Sequence, residues 1–132
     1  MTIWPQPLIV VRDVPASRRF YVELLGAEST HGGEEYAQLV SDGELILQLH
    51  NIDVGHHHGP LASPDVPLGN GTLLWFEVSD FDAAIQRARA VNAPVERDVH
   101  VNPNAQQQEI WLRDPDGYLV VLAGPAEYRP RA

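Results

Sequence analysis

Apolar and polar positions follow one another in a pattern that occurs twice along the chain. Short apolar runs at residues 8–11 and 73–78 each end two residues before an aspartate, and helical spacing begins there. Asp13 and Asp80 are therefore predicted helix N-caps, because a carboxylate accepts hydrogen bonds from the amides of the first turn. Gly26 is placed to end the first helix, since glycine tolerates a left-handed backbone. Each copy thus begins as a strand that leads into a helix.

The same spacing predicts which side chains each helix buries. In the second helix, apolar residues recur every three or four positions and give the stripe Phe81, Ala84, Ile85, Ala88 and Val91. In the first helix, the predicted stripe is Ala16, Phe20 and Leu24.

Two strand patterns follow each helix and are separated by turn signals. Residues 34–40 and 44–50 flank Asp42-Gly43, whereas residues 106–113 and 118–123 flank an Asp-Pro-Asp-Gly turn. Glycine supplies the positive φ that tight hairpins need. Both halves therefore predict the order β-α-β-β-β in one α+β domain, with module 1 at about 6–50, a proline- and glycine-rich linker at about 51–70, and module 2 at about 71–125.

Alternation along the strands separates two kinds of face. In residues 44–50 every second residue is a leucine, and that face is expected to pack on a helix. The opposite face is mixed and suits a ligand cavity; it holds Ile46, Gln48 and His50. Trp75 shares a face with Leu73 and Glu77, and Trp111 lies in the penultimate strand. An indole ring offers a stacking plane for flat or cationic ligands.

The composition of the chain excludes several kinds of catalytic and metal site. The 132 residues include neither cysteine nor lysine, which excludes disulfides, thiolate metal sites and Schiff-base lysines. Eighteen acidic residues against nine arginines give a formal net charge of −9. This charge repels nucleic acids on average and mildly favours cationic ligands. The sequence has no apolar run long enough for a membrane span and no signal-peptide pattern, so a cytoplasmic location is expected.

The motifs together resemble the vicinal oxygen chelate superfamily, which includes glyoxalases, extradiol dioxygenases and bleomycin-resistance proteins. The resembling segments are residues 11–14, Phe20-Tyr21 with Leu25-Gly26, residues 76–80 and residues 112–118. The resemblance implies that the two modules form a curved, incomplete mixed β-barrel with a concave cup, and that the protein is a homodimer. It also implies that Asp114 and Asp116 shape the last hairpin and are not catalytic acids.

In metal-dependent members of this superfamily, four ligands project into the cup from equivalent strands of the two modules. Carried over strand by strand, these positions fall on Gln6, Gln48, Leu73 and Val121, with Leu47 replacing Gln48 if the register shifts by one residue. Leucine and valine offer a metal no donor atom, and glutamine oxygens alone bind divalent cations weakly. We therefore expect no metal and no other cofactor in the cup; the alternative is a divalent metal bound elsewhere.

Other conspicuous side chains give weaker signals. The run His56-His57-His58 lies in the linker without carboxylates at metal-ligand spacing, and is interpreted as a solvated or pocket-covering loop. His31 and His100 lie in loop-like contexts and receive no role. Trp4, between Ile3 and Pro5, is expected to pack against a partner chain.

Two functions fit these observations. The first is a small-molecule-binding protein, similar to bleomycin-resistance proteins, that sequesters an aromatic or cationic compound such as an antibiotic. The alternative is an enzyme of the superfamily, a lyase, isomerase or dioxygenase, that uses a relocated metal or a metal-free acid/base pair such as His50 with Glu77. No catalytic residue is assigned. The predicted ligand-binding residues are Gln6, Gln48, His50, Trp75, Glu77, Trp111 and Val121.

Overall fold

The computed structural model describes residues 1–54 and 59–126, which form two compact units divided between Leu68 and Gly69. The elements of the first unit are β1 (Leu8–Val11), α1 (Val14–Leu25), β2 (Glu28–Gly32), β3 (Tyr36–Ser41) and β4 (Glu44–Asn51). Those of the second are β5 (Leu73–Glu77), α2 (Phe81–Ala90), β6 (Val95–Asn102), β7 (Gln107–Arg113) and β8 (Leu119–Ala123). The predicted order β-α-β-β-β is confirmed in both units, and with it the α+β fold class.

The two sheets have the same topology. The strand orders are β1-β4-β3-β2 and β5-β8-β7-β6. In each sheet the first strand pairs in parallel with the last, and the remaining pairs are antiparallel. Within the described residues neither sheet closes on itself, so each is an open mixed sheet of four strands.

Both helices begin as the sequence predicts, and α1 also ends as predicted. The Asp13 carboxylate accepts a hydrogen bond from the Ala16 amide, and Asp80 accepts one from the Ala83 amide, each at 3.0 Å. Gly26 takes a left-handed φ of 66° and donates its N–H to the Val22 carbonyl. These contacts satisfy backbone groups that a helix end otherwise leaves without partners.

Three of the five residues in the predicted α2 stripe are buried, whereas the predicted α1 stripe is partly wrong. Phe81, Ala84 and Ala88 are buried, and Ile85 and Val91 are half-buried. In α1 the buried residues are Val14, Ser17, Tyr21 and Leu24, so the predicted Ala16 and Phe20 are only half-buried. The helix starts at Val14, which is fully buried, and positions three, seven and ten residues later fall on the same side.

The alternating strand faces are confirmed. Helix α1 packs against β2, β3 and β4, and the leucine face of β4 is buried, with Leu47 and Leu49 fully so. Helix α2 contacts β8, and the face of β7 and β8 that lies beneath it is fully buried at Ile110, Leu112, Val120 and Leu122. The opposite face of each sheet carries the polar and aromatic residues that the sequence marked as candidates.

The two predicted hairpin turns have different supports. At the first, Asp42 and Gly43 both adopt positive φ, 51° and 76°, as a tight two-residue turn requires. At the second, the Asp114 Oδ1 accepts hydrogen bonds from the amides of Asp116 and Tyr118, both at 2.9 Å. Asp114 therefore holds the turn together, in agreement with its predicted structural role.

Helix α1 is the longer of the two and has 12 residues. No helix in residues 1–54 and 59–126 has the length and hydrophobicity needed to cross a membrane.

Candidate functional site

The second sheet presents two rows of side chains on the face that α2 leaves uncovered. Strand register aligns Trp75, Val121, Trp111 and Arg97 across β5, β8, β7 and β6. We call this set the aromatic row. Two residues away along β5, β8 and β7, and three along β6 because the register shifts there, the alignment gives Glu77, Ala123, Glu109 and His100, which we call the acidic row. In β5, β8 and β7 both rows lie on one face because side chains two residues apart point the same way in a strand. In β6 the register shift keeps Arg97 and His100 on that face, where they contact Trp111 and Glu109.

The aromatic row places two indoles on either side of a small aliphatic side chain. Trp75 is 42% exposed, Trp111 is half-buried, and Val121 between them is fully buried. Because they lie two strands apart, the two tryptophan backbones are separated by about 10 Å. The Arg97 guanidinium lies 5.5 Å from the centre of the Trp111 ring, a cation–π contact at the outer end of the row.

The acidic row is centred on a carboxylate buried to 1% exposure, that of Glu109. Its Oε1 accepts a hydrogen bond from Trp111 Nε1 at 2.8 Å and lies 3.0 Å from His100 Nε2. Its Oε2 accepts a bond from the Asn102 amide at 3.2 Å. Three polar contacts thus compensate for the loss of hydration around this buried charge.

His100 and Glu109 were missed from the sequence, and the expectation for His100 is wrong. His100 lies in β6, not in a loop, and both of its ring nitrogens are engaged, because Nδ1 lies 2.7 Å from the Asp98 carbonyl oxygen. The missed signal was alternation in residues 107–113, which puts Glu109 on the same face as Trp111. An isolated glutamate in a strand gives no sign of its partners, which come from another strand.

At the other end of the acidic row, Glu77 is half-buried. Its carboxylate accepts a hydrogen bond from the Ala126 amide at 2.8 Å, which ties the segment after β8 to the edge strand β5.

The corresponding face of the first sheet carries a chain of polar side chains. The Gln38 amide donates to the Tyr36 hydroxyl at 3.1 Å, and that hydroxyl donates to Gln48 Oε1. Gln48 Nε2 in turn donates to the Gln6 backbone carbonyl at 3.0 Å. Both ends of the Gln48 amide are therefore occupied by protein partners. Gln6 contributes its main chain to this contact, and its residue as a whole is exposed.

Strand register places Gln48, and not Leu47, on the polar face. Gln48 pairs with Leu8 of β1, as Val121 pairs with Trp75 of β5, and Leu8 and Trp75 each precede their capping aspartate by five residues. His50 shares the face with Gln48 and is buried, with Nδ1 2.9 Å from the Asn51 carbonyl oxygen.

The donor atoms at the four metal-ligand positions of the superfamily do not fit a divalent cation. Leu73 and Val121 carry only carbon in their side chains, and the Gln48 amide is engaged at both its oxygen and its nitrogen. Hard divalent cations need several oxygen or imidazole donors around one point. Among the described residues, no group of three or more histidine, aspartate or glutamate side chains is arranged to hold a metal.

The histidine run and the His50–Glu77 pair are the remaining sequence candidates. The run His56–His58 lies outside the described residues. His50 belongs to the first unit and Glu77 to the second, and each has its own partners there. Within the second unit, the His100 imidazole lies 3.0 Å from the Glu109 carboxylate.

Known structures share this fold at low sequence identity. A lactoylglutathione lyase from Agrobacterium tumefaciens is 21% identical, with a TM-score of 0.68 over 93% of this chain and 92% of the other. A protein of unknown function from the same species is 22% identical, with a TM-score of 0.75 over 95% of each chain. TioX from Micromonospora sp. ML1 is 16% identical, with a TM-score of 0.74 over 93% of this chain and 98% of TioX.

The sequence itself matches a family over nearly its whole length. The model of the Glyoxalase/Bleomycin resistance protein/Dioxygenase superfamily matches residues 4–122, which span every helix and all but the last residue of the strands. The chain belongs to the Glyoxalase/Bleomycin resistance protein/Dioxygenase superfamily.

Proposed function

We propose that this protein binds a flat aromatic small molecule on its aromatic row and does not transform it chemically. The observation that carries the proposal is the alignment of Trp75, Val121 and Trp111 across three adjacent strands, with Trp75 42% exposed. A large aromatic side chain of a soluble protein is ordinarily well buried. Exposure of an indole beside a second indole supports a stacking surface, worth about 0.5–1.5 kcal/mol for each stacked pair beyond simple burial.

The exposed indole and the support of its neighbour favour a preformed site. Val121 is fully buried between the strands that carry the two tryptophans, so the surface that an incoming ring would contact is formed by the indoles, chiefly by Trp75 at 42% exposure. The hydrogen bond from Trp111 to Glu109, itself held by His100 and Asn102, fixes the orientation of one indole. A fixed ring loses little conformational entropy when a ligand binds, which raises affinity.

Binding without reaction is supported by the residues at the four superfamily ligand positions, because two of them have no donor atom. Membership of the superfamily and this departure together favour a role similar to that of bleomycin-resistance proteins, in which a toxic compound such as an antibiotic is sequestered. A stoichiometric divalent metal in protein purified without a histidine tag would contradict this account.

A second candidate is an enzyme that uses a metal-free acid/base pair. The contact of 3.0 Å between His100 Nε2 and Glu109 Oε1, on the face of the aromatic row, is the observation in its favour. Against it, both His100 nitrogens already face protein oxygens, so a proton transfer to a ligand would first break one of these contacts. Mass spectrometry of a bound compound recovered after prolonged incubation separates the two functions: an altered mass supports the enzyme.

The proposal also includes a cytoplasmic homodimer with a small molecule as its partner. Superfamily membership supports the dimer, and the acidic composition supports solubility. Sedimentation velocity at micromolar concentration tests the dimer: a single species of about twice the 14.6 kDa chain mass is expected.

The central test uses tryptophan variants and a panel of aromatic compounds. A compound that raises the melting temperature is selected first, and its dissociation constant is then measured for Trp75→Ala and for Trp4→Ala. We expect Trp75→Ala to weaken binding more than tenfold, since about 1.4 kcal/mol already corresponds to a factor of ten. Trp4, at 66% exposure outside the row, is the matched control and should leave binding unchanged.

Unfolding by urea, measured on the same variants, separates binding from packing. A Trp75→Ala protein that remains folded but loses the compound supports the proposal. Unchanged binding in that variant would show that the row is not the site, and a panel without any binding compound would contradict the proposed function.

A further inference from the structure

Arg97 occupies an unusual electrostatic position at the outer end of the aromatic row. It lies opposite Trp111 in the strand register, is exposed, and holds its guanidinium 5.5 Å from the indole centre. Among residues 1–54 and 59–126 this cation–π contact is its sole polar interaction, with neither a hydrogen bond nor an ion pair. Its five N–H donors therefore remain available beside the ring.

The carboxylates next to Arg97 in the chain, and Glu109 on the facing strand, are engaged by other groups. Glu96 pairs with Arg113 at 3.2 Å, and Asp98 pairs with Arg89 at 3.0 Å. Glu109 is held by His100, Asn102 and Trp111. What distinguishes Arg97 is therefore its place: its guanidinium lies beside an indole of the aromatic row and, among the described residues, has no carboxylate partner.

We infer that Arg97 and Trp111 form a subsite for the anionic group of the ligand, which is an aromatic carboxylate. The inference rests on the proposed function and names its ligand class. The planar guanidinium matches a carboxylate through two parallel hydrogen bonds. The ring attached to that carboxylate would then stack on the accessible part of the Trp111 indole, on the side of Trp75. Arg97 is in this account the residue that determines specificity for charge.

The overall charge of −9 does not decide affinity at this point. Charges beyond about 10 Å are largely screened at 0.1 M salt, whereas a direct contact between Arg97 and a carboxylate is not. The net charge instead slows the approach of an anion, an effect on the association rate. The expectation of a cationic ligand follows from the total charge, and the local arrangement at Arg97 favours the opposite sign.

Three probes that share one ring system test the inference. They are 2-naphthoate, the neutral 2-naphthalenemethanol and the cationic 2-naphthylmethylammonium, each titrated by isothermal calorimetry at pH 7 into wild-type protein, Arg97→Gln and Arg19→Gln. We expect the wild type to bind the carboxylate about tenfold more tightly than the alcohol, the gain typical of one charge-assisted contact at an exposed site. Arg97→Gln should abolish this preference and leave the alcohol unaffected.

Arg19→Gln changes an exposed arginine of α1 in the other unit and controls for the loss of one positive charge, so it should retain the preference. The inference is overturned if the wild type binds the three probes equally, if it prefers the ammonium compound, or if Arg97→Gln keeps the preference for the carboxylate. In each of these cases ring binding still supports the proposed function. If none of the probes binds the wild type, the proposed function fails together with the inference.

Discussion

The two units have the same order of strands and helix, but they carry different side chains on the sheet face that the helix leaves uncovered. Register makes their uncovered faces comparable position by position: Leu8, Gln48 and Gln38 in the first correspond to Trp75, Val121 and Trp111 in the second. The central strand is polar in the first unit and aliphatic in the second, and the aromatic bulk lies on the flanking strands of the second. Duplicated folds keep the helix-facing side for stability and leave the other side free to diverge.

The next row shows the same contrast. Val10, His50 and Tyr36 in the first unit correspond to Glu77, Ala123 and Glu109 in the second. Tyr36 and Glu109 thus occupy equivalent positions, and each organises the hydrogen bonds of its own face. In the first unit these bonds occupy the Gln48 amide, whereas in the second they orient Trp111 and leave the surface of Trp75 open. This difference is why we propose the ligand site on the second unit.

The largest expected effect is the difference in stability between substitutions on the helix-facing side and on the uncovered side of the first sheet. In the first unit, Leu47→Ala should lower the free energy of unfolding by about 2–5 kcal/mol, because Leu47 is fully buried beneath α1. Gln48→Ala, at the adjacent residue on the other face, should cost about 1 kcal/mol, the value of a typical hydrogen bond. Urea denaturation of both variants gives the two numbers.

The second unit provides the control for this contrast. Val120 and Val121 stand at the positions equivalent to Leu47 and Gln48, and both are fully buried. Val120→Ala and Val121→Ala should therefore each cost about 2 kcal/mol, with little difference between the faces. Equal costs for Leu47→Ala and Gln48→Ala would contradict the assignment of faces in the first unit.

The sequence predicted the part of the structure that depends on local rules. Caps, turns and strand alternation act within a few residues, so Asp13, Asp80 and the Asp42-Gly43 turn were predicted correctly. The predicted buried stripe of α1 was partly wrong because Phe20 and Tyr21 are both aromatic. Only the packing of α1 against β3 and β4 determines that Tyr21 is the buried one.

For the candidate site, the sequence predicted only on which face of its strand each side chain lies. Alternation placed Trp75 and Glu77 on one face and Gln48 with His50 on another, as the strands show. The partners of these residues come from strands that are distant in sequence, and the pairing of β6 with β7 contains register shifts. His100 and Glu109 lie next to each other across such a pair, and no spacing in the sequence signals that contact.

A smaller effect separates the two organising residues, Glu109 and Tyr36. Glu109→Ala leaves the donors of His100, Trp111 and Asn102 without their acceptor, and should cost about 1–3 kcal/mol of unfolding free energy. Tyr36→Phe removes only the hydroxyl from the first face and should cost about 1 kcal/mol. Near-ultraviolet circular dichroism adds a readout of the indole orientation, which should change in Glu109→Ala and stay unchanged in Tyr36→Phe.

Glu109→Gln provides a milder variant of the same size. Its amide oxygen can still accept from one donor, so its free energy of unfolding should lie between those of the wild type and Glu109→Ala. If Glu109→Ala is no less stable than Tyr36→Phe, the acidic row does not organise the second face as described.

The smallest expected effect concerns the edge strand β6. Asp98 of β6 is fully exposed, and its pKa is held below the ordinary value of 3.8, chiefly by the hydrogen bond from the Val99 amide and also by Arg89 of α2. A carboxyl with a lower pKa in the folded state contributes stability above the unfolded pKa, and this contribution disappears as the pH falls through the folded pKa. Asp98→Asn should therefore reduce the urea midpoint slightly at pH 6 and leave it equal to that of the wild type at pH 2.

Glu44→Gln, at an exposed carboxylate of β4, serves as the control for the loss of one negative charge. A difference between Asp98→Asn and the wild type that persists unchanged at pH 2 would show that the substitution acts through the strand itself and not through the charge of Asp98.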